Sequence, residues 1–222
     1  MNIEHWTLKL PPVPFLYPIV DTDVCDARGL DAATVADAYL AGGARFLQLR
    51  DKSGSSAAFL SLAERIVRRA SAFDAAVIVN DRADIACLSG AHGVHVGQQD
   101  LAVSDVRRIV GSRLILGLST HDERQVDEAL DSEATYVAVG PVFGSSTKET
   151  GYTARGLDLV RYAAGRGKPV VAIGGITLQR APSVVQAGAA GLAVISDLLE
   201  GRDPEARSRE FIARLAEPLF ME

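Results

Sequence analysis

The chain is poor in residues that staple a fold or thread a membrane. It has two cysteines, Cys25 and Cys87, and no CxxC pair. A disulfide scaffold and a cysteine-built zinc site are therefore excluded. Both thiols are expected as small core residues in a reducing cytosol, which points to a cytoplasmic protein. No stretch approaches 18 uninterrupted apolar residues, so no membrane span is expected. Met1 to Pro14 carries Glu4, His5 and Lys9 among scattered apolar residues and lacks the apolar run of a signal peptide. An excess of positive charge is missing too. Lys and Arg number 23 against 28 Asp and Glu, a net charge of −5. That balance argues against nucleic acid as a partner but leaves room for a local basic pocket. No GxGxxG follows the first apolar run, no GxSxG surrounds Ser119, and no linker or low-complexity segment interrupts the chain.

What is present is an ordinary globular composition over 222 residues, 48% hydrophobic and 23% charged. A chain of this size buries about 70% of its surface without a staple. One phrase recurs: Gly-Ala, then a short apolar run. It begins at Gly43, Gly90 and Gly188, with a glycine-free version at Glu133. The glycine copies lie 47 and 98 residues apart, close to two and four lengths of a ~24-residue βα unit. Apolar runs suited to buried parallel strands begin near Phe15, Phe46, Val77, Gly93, Leu114, Thr135, Pro169 and Gly191. Helical spacing lies between them, as in Phe59, Leu62, Ala63, Ile66 and Val67, or Val103, Val106 and Val110. A last helix is expected from Pro204 to Phe220. Eight βα units predict an α/β fold, a single (β/α)₈ TIM barrel over residues 1–222, with 1–14 a short N-terminal extension. An open doubly wound sheet is the alternative.

In such a barrel the loops after the strands carry the chemistry. Phe46 to Arg50 alternates with period two, so Leu47 and Leu49 face the helices while Gln48 and Arg50 face inward. An inward charge needs a partner or a ligand. One reading of Arg50 is a structural ion pair with an acid on another strand. The other joins it to Lys52 and Lys148 as a seat for a polyanion such as pyrophosphate. Asn80 and Asp81 end the third run, and Asp100 follows the fourth. Each Asp alone fits a helix cap; together they suit Mg²⁺, held by one or two acids and phosphate oxygens. Gly174-Gly175 and Ile195-Ser196 close the last two strands, where barrels often bind phosphate through backbone N–H groups; a plain tight turn is the simpler reading. His121 fits a general acid or base, or a packing role. His92 and His95 fit structural roles, and Ser119 a binding hydroxyl.

In chain order, Gln48-Leu49-Arg50-Asp51-Lys52, Val79-Asn80-Asp81-Arg82, Gly93 to Asp100, Gly117-Leu118-Ser119-Thr120-His121, Gly140-Pro141-Val142-Phe143 through Thr147-Lys148, and Ala172-Ile173-Gly174-Gly175-Ile176 closely resemble the thiamine phosphate synthase family. The likeness runs from about Phe15 to Ser196. It implies a Mg²⁺-dependent transferase that joins a hydroxymethylpyrimidine diphosphate to a thiazole phosphate, giving thiamine phosphate and pyrophosphate. By that likeness Gln48, Arg50, Lys52, Asn80 and Lys148 would bind the pyrimidine diphosphate, with Arg50, Lys52 and Lys148 catalytic. Asp81 and Asp100 would hold Mg²⁺, and Ser119 would contact the pyrimidine. Ser145 and Thr147, with Gly175, Ile195 and Ser196, would hold the thiazole phosphate. Gly144-Ser145-Ser146-Thr147-Lys148 departs from the family's Pro-Thr-x-Thr-Lys run but keeps the hydroxyl. The expected partners are these small molecules, with neither nucleic acid nor membrane, and the chain is open to forming a homo-oligomer. Two competing readings remain: a related thiazole tautomerase, which would need His121 and not the Asp pair, and a phosphate-binding sensor without turnover.

Overall fold

The computed structural model describes residues 10–144 and 153–217. Strands β1 (Phe15–Asp21), β2 (Phe46–Arg50), β3 (Ala76–Asn80), β4 (Gly93–Val96), β5 (Ile115–Thr120), β6 (Tyr136–Val139), β7 (Val170–Ile173) and β8 (Gly191–Val194) each start within one residue of the expected run. They pair in parallel in chain order, and β8 returns to β1, Phe15 opposite Gly191, closing the barrel. Helices α1 (Thr22–Ala27), α2 (Ala32–Ala41), α3 (Ser56–Ser71), α4 (Ala83–Ser89), α5 (Val103–Val110), α6 (Glu123–Asp131), α7 (Asp158–Ala163), α8 (Ala181–Gln186) and α9 (Pro204–Ala216) surround it. The last helix ends at Ala216; residues 218–222 lie outside the described residues. Among the described residues no helix is long and apolar enough to cross a membrane.

The recurring Gly-Ala phrase is the turn that closes a helix before the next strand. Gly43, Gly90 and Gly188 all adopt positive φ, at 104°, 72° and 99°. The following alanine N–H reaches back five residues: Ala44 to the Tyr39 carbonyl at 3.0 Å, Ala91 to Ala86 at 3.0 Å and Ala189 to Val184 at 3.3 Å. This is a helix stop that needs a left-handed residue, and glycine adopts it without a Cβ penalty. At Glu133 no glycine is needed, because α6 ends in an extended residue, Ser132, with φ −83°.

Two cores follow from the strand period. Leu47, Leu49, Val77, Val79, Val94 and Val96 pack outward against the helices. Phe15, Tyr17, Ile19, Phe46, Ile78 and Tyr136 fill the barrel, with the Tyr17 and Phe46 rings 4.5 Å apart. Leu10 packs against this inner cluster, so the segment before β1 helps floor the barrel; residues 1–9 lie outside the described residues. Cys25 is buried as expected, but Cys87 is exposed. On α4 the buried positions are Ala83, Ile85, Ala86 and Ser89, and residue 87 falls on the opposite, solvent side of that face.

Candidate active site

Gln48 and Arg50 face inward at the end of β2. Arg50 pairs with the buried carboxylate of Asp21, its register partner on β1. Asp21 also caps α1, accepting from the Val24 N–H at 3.1 Å. The structural ion pair is therefore present. It does not use up the guanidinium, because Arg50 Nε is buried without a hydrogen-bond partner among the described residues. Burying such an N–H is costly, and an incoming anionic oxygen would satisfy it. Lys52, half-exposed, pairs with Asp81.

Asp81 sits directly after β3 with φ 60°, a left-handed conformation that Asp tolerates better than most residues. Its N–H is held by the His95 carbonyl at 2.7 Å. Neither aspartate caps a helix: α4 is capped at Arg82 and α5 at Ala102, neither by a side chain. Asp100 instead accepts the Gly97 N–H at 2.8 Å. Burial, and the Asp81 carboxylate beside it, hold its carboxyl above the usual range; the Gly97 amide and Lys52 oppose this. Asn80 is buried at the end of β3. In these pairings Asp21 meets Arg50, Asp81 meets Lys52, and Asp100 lies beside Asp81. Among the described residues no three or more His, Cys, Asp and Glu side chains converge as a metal cage. Two carboxylates are what remains to offer a hard cation.

The sequence reading missed a hydrogen-bonded chain across the barrel interior. Gln48 Nε2 donates to the Tyr17 hydroxyl at 3.0 Å, and that hydroxyl lies 2.9 Å from the hydroxyl of Tyr136. Tyr136 lies 2.9 Å from His95 Nδ1, and His95 Nε2 lies 2.8 Å from Ser119 Oγ. His95 is therefore tied to a candidate binding residue. His92 is structural: its Nδ1 accepts the Val77 N–H at 3.0 Å, and burial lowers its pKa. Period-two alternation in Phe15, Tyr17, Ile19 and Asp21 carried a signal for the inward Tyr17 and Asp21.

Gly174 and Gly175 adopt φ of 101° and 61°. A Cβ on Gly174 would meet Pro141 Cβ at 2.6 Å, and one on Gly175 would meet the Gly144 carbonyl at 2.5 Å. The tight-turn reading holds, and the turn also binds the segment after β6 through Val142 N–H to Ile173 O at 2.8 Å and Phe143 N–H to Gly174 O at 3.0 Å. Arg180, also not foreseen, donates to the Gly175 carbonyl at 2.8 Å and lies over the Phe143 ring. Ile195 precedes a 3₁₀ segment that opens at Ser196. His121 Nδ1 lies 2.6 Å from the Gly140 carbonyl, linking the ends of β5 and β6. Ser145, Thr147 and Lys148 lie outside the described residues.

Charged and hydroxyl side chains gathered at the carboxyl ends of a closed parallel barrel define a (β/α)₈ enzyme. Residues 16–198 match the family model for thiamine monophosphate synthase. The thiamine-phosphate synthase of Koribacter versatilis is 43% identical over 209 residues, covering 92% of this chain and 96% of that protein. Its counterpart in a Roseiflexus species is 40% identical over 220 residues, covering 96% and 92%. The solved thiamine phosphate pyrophosphorylase of Pyrococcus furiosus superposes with a TM-score of 0.82 at 29% identity, over 90% of this chain and 95% of that one. The chain belongs to the thiamine monophosphate synthase family and is an enzyme of thiamine biosynthesis.

Proposed function

We propose that the chain joins a hydroxymethylpyrimidine diphosphate to a thiazole phosphate, with Mg²⁺ at Asp81 and Asp100, and releases thiamine phosphate and pyrophosphate. The observation that carries this reading is Arg50. Its charge is held at the barrel mouth by Asp21, while its buried Nε–H lacks a partner among the described residues. A diphosphate oxygen would complete it, with Lys52 and Asn80 alongside and Lys148 from the segment after β6. Asp100 beside the Asp81 carboxylate offers two hard oxygen donors, which suit a divalent cation next to a polyanionic substrate. When bound, Mg²⁺ would neutralise charge on the departing diphosphate.

In the reaction the carbon–oxygen bond to the diphosphate breaks, and both electrons leave with pyrophosphate. The pyrimidine ring stabilises the cation left on the methylene carbon, and the thiazole nitrogen supplies the pair that forms the new carbon–nitrogen bond. No protein nucleophile is required. Arg50, Lys52 and Lys148 stabilise the leaving charge. Gln48 and Ser119 orient the pyrimidine, while Ser145 and Thr147, with the backbone at Gly175, Ile195 and Ser196, hold the thiazole phosphate in line. Two free cysteines suit a cytoplasmic setting. The decisive test is pyrophosphate release with both substrates, with and without Mg²⁺. Release that needs both substrates and the metal is expected; no release would sink the proposal, and a proton shift on a thiazole phosphate alone would favour the tautomerase.

A further inference from the structure

One arrangement gives every hydrogen of the interior chain from Gln48 to Ser119 an acceptor. An amide nitrogen only donates, so the Tyr17 hydroxyl accepts from Gln48 Nε2. The single Tyr17 hydrogen is then left for the Tyr136 oxygen, its other neighbour at 2.9 Å. In that arrangement Tyr136 has its one hydrogen for His95 Nδ1, 2.9 Å away. Burial pushes the pKa of both phenols up, so each keeps that hydrogen. With Nδ1 accepting, a neutral imidazole carries its proton on Nε2 and donates to Ser119 Oγ.

We propose that His95 is a positioning residue: held as the Nε2–H tautomer by the Tyr136 hydroxyl, it makes Ser119 a hydroxyl donor to an acceptor atom of the pyrimidine diphosphate. The Ser119–His95 contact has the spacing of a nucleophile and its base, but its polarity is reversed. A protonated Nε2 cannot take the serine hydrogen, so Ser119 keeps it for the ligand. The fold guards this arrangement. A Cβ on Gly117 would fall 2.2 Å from Tyr136 Cζ and 2.4 Å from His95 Nδ1, so only glycine leaves the link intact. Gln98 fixes the other side of Ser119, donating to its carbonyl at 2.7 Å.

The proposal rests on the synthase reading for the identity of its ligand, and the two fail separately. Wild-type pyrophosphate release tests that reading. The tautomer is read from the substrate-free protein by nitrogen-15 NMR of the histidine side chains, with His95 assigned through His95→Gln. A single Nε2–H form is expected; an Nδ1–H form, or a mixture, overturns the proposal whatever the activity. In the active enzyme Tyr136→Phe removes the donor to Nδ1, and Ser119→Ala removes the hydroxyl. Each should lower kcat/KM for the diphosphate by about tenfold, the scale of one hydrogen bond. The double variant should lose little more than either single. Tyr17→Phe leaves Tyr136 able to donate, so its effect should add to that of Ser119→Ala. Additive losses for Tyr136→Phe and Ser119→Ala would mean that the chain does not act through Ser119.

Discussion

Arg50 is asked to hold the fold and the leaving group together, and replacing it should separate the two tasks. Arg50→Met keeps much of the side-chain volume but strands the buried Asp21 carboxylate. Removing one partner of a buried ion pair costs about 3–5 kcal/mol. The lower end applies here, because Asp21 keeps the Val24 amide and the Arg50 side chain retains 15% exposure. A loss of ~3 kcal/mol corresponds to a fall in Tm of roughly 6–12 °C for a chain of this size. Asp21→Asn should cost less, since asparagine still caps α1 and its side-chain oxygen can still accept from the guanidinium. The double variant Arg50→Met/Asp21→Asn removes both charges and should recover to within about 1.5 kcal/mol of the parent. Urea unfolding followed by circular dichroism, on all four proteins at matched m-values, gives the cycle. Pyrophosphate release on the same four gives function. The refolded double variant should remain at least ~100-fold impaired, because the charge facing the diphosphate is gone. An Arg50→Met loss under ~1 kcal/mol would refute the buried-pair reasoning. A double variant with normal turnover would show that Arg50 serves Asp21 alone.

Asp81→Asn and Asp100→Asn should each lower turnover at least ~100-fold and blunt the response to Mg²⁺ while thermal stability changes little; near-normal rates in both would remove the metal from these positions. Lys148→Ala should reduce kcat more than it raises KM for the thiazole phosphate, and a pure KM effect in steady-state kinetics would move this lysine to the other phosphate. His121→Asn should retain activity within ~10-fold, below the usual loss of an acid–base group. A nearly inactive His121→Asn beside an unaffected Asp81→Asn would instead describe the tautomerase.

The barrel was legible because its punctuation is chemical. The Gly-Ala phrase marks left-handed helix stops, and short Val- and Ile-rich runs mark strands buried on both faces. Arg50, Lys52, Asp81 and Asp100 stand out in the sequence as candidates because charge at a strand end contrasts with apolar surroundings. Their pairing does not stand out. Arg50 finds Asp21 and Lys52 finds Asp81 from neighbouring βα units, and strand order alone does not state which side chains at the mouth meet. Tyr17, Tyr136 and His95 were hidden because each has an apolar body and reads as core filling until its hydroxyl or ring nitrogen meets a partner. Helices α1, α7 and α8, six residues each, are too short to show a period. Cys87 was misplaced because a small apolar residue fits either side of a short helix.

The glycine turns that close α2, α4 and α8 have a consequence for how such a chain can change over generations. Each is closed by a backbone hydrogen bond at the floor of the barrel, away from the mouth. Folding information and chemical information are thereby written at opposite ends of the same strands. A lineage can rewrite the residues above β3, β4 or β5 and inherit an intact scaffold, so new substrates are reached without first surviving a loss of stability. The two texts overlap at the Arg50–Asp21 pair, and there a change of chemistry carries a structural penalty with it.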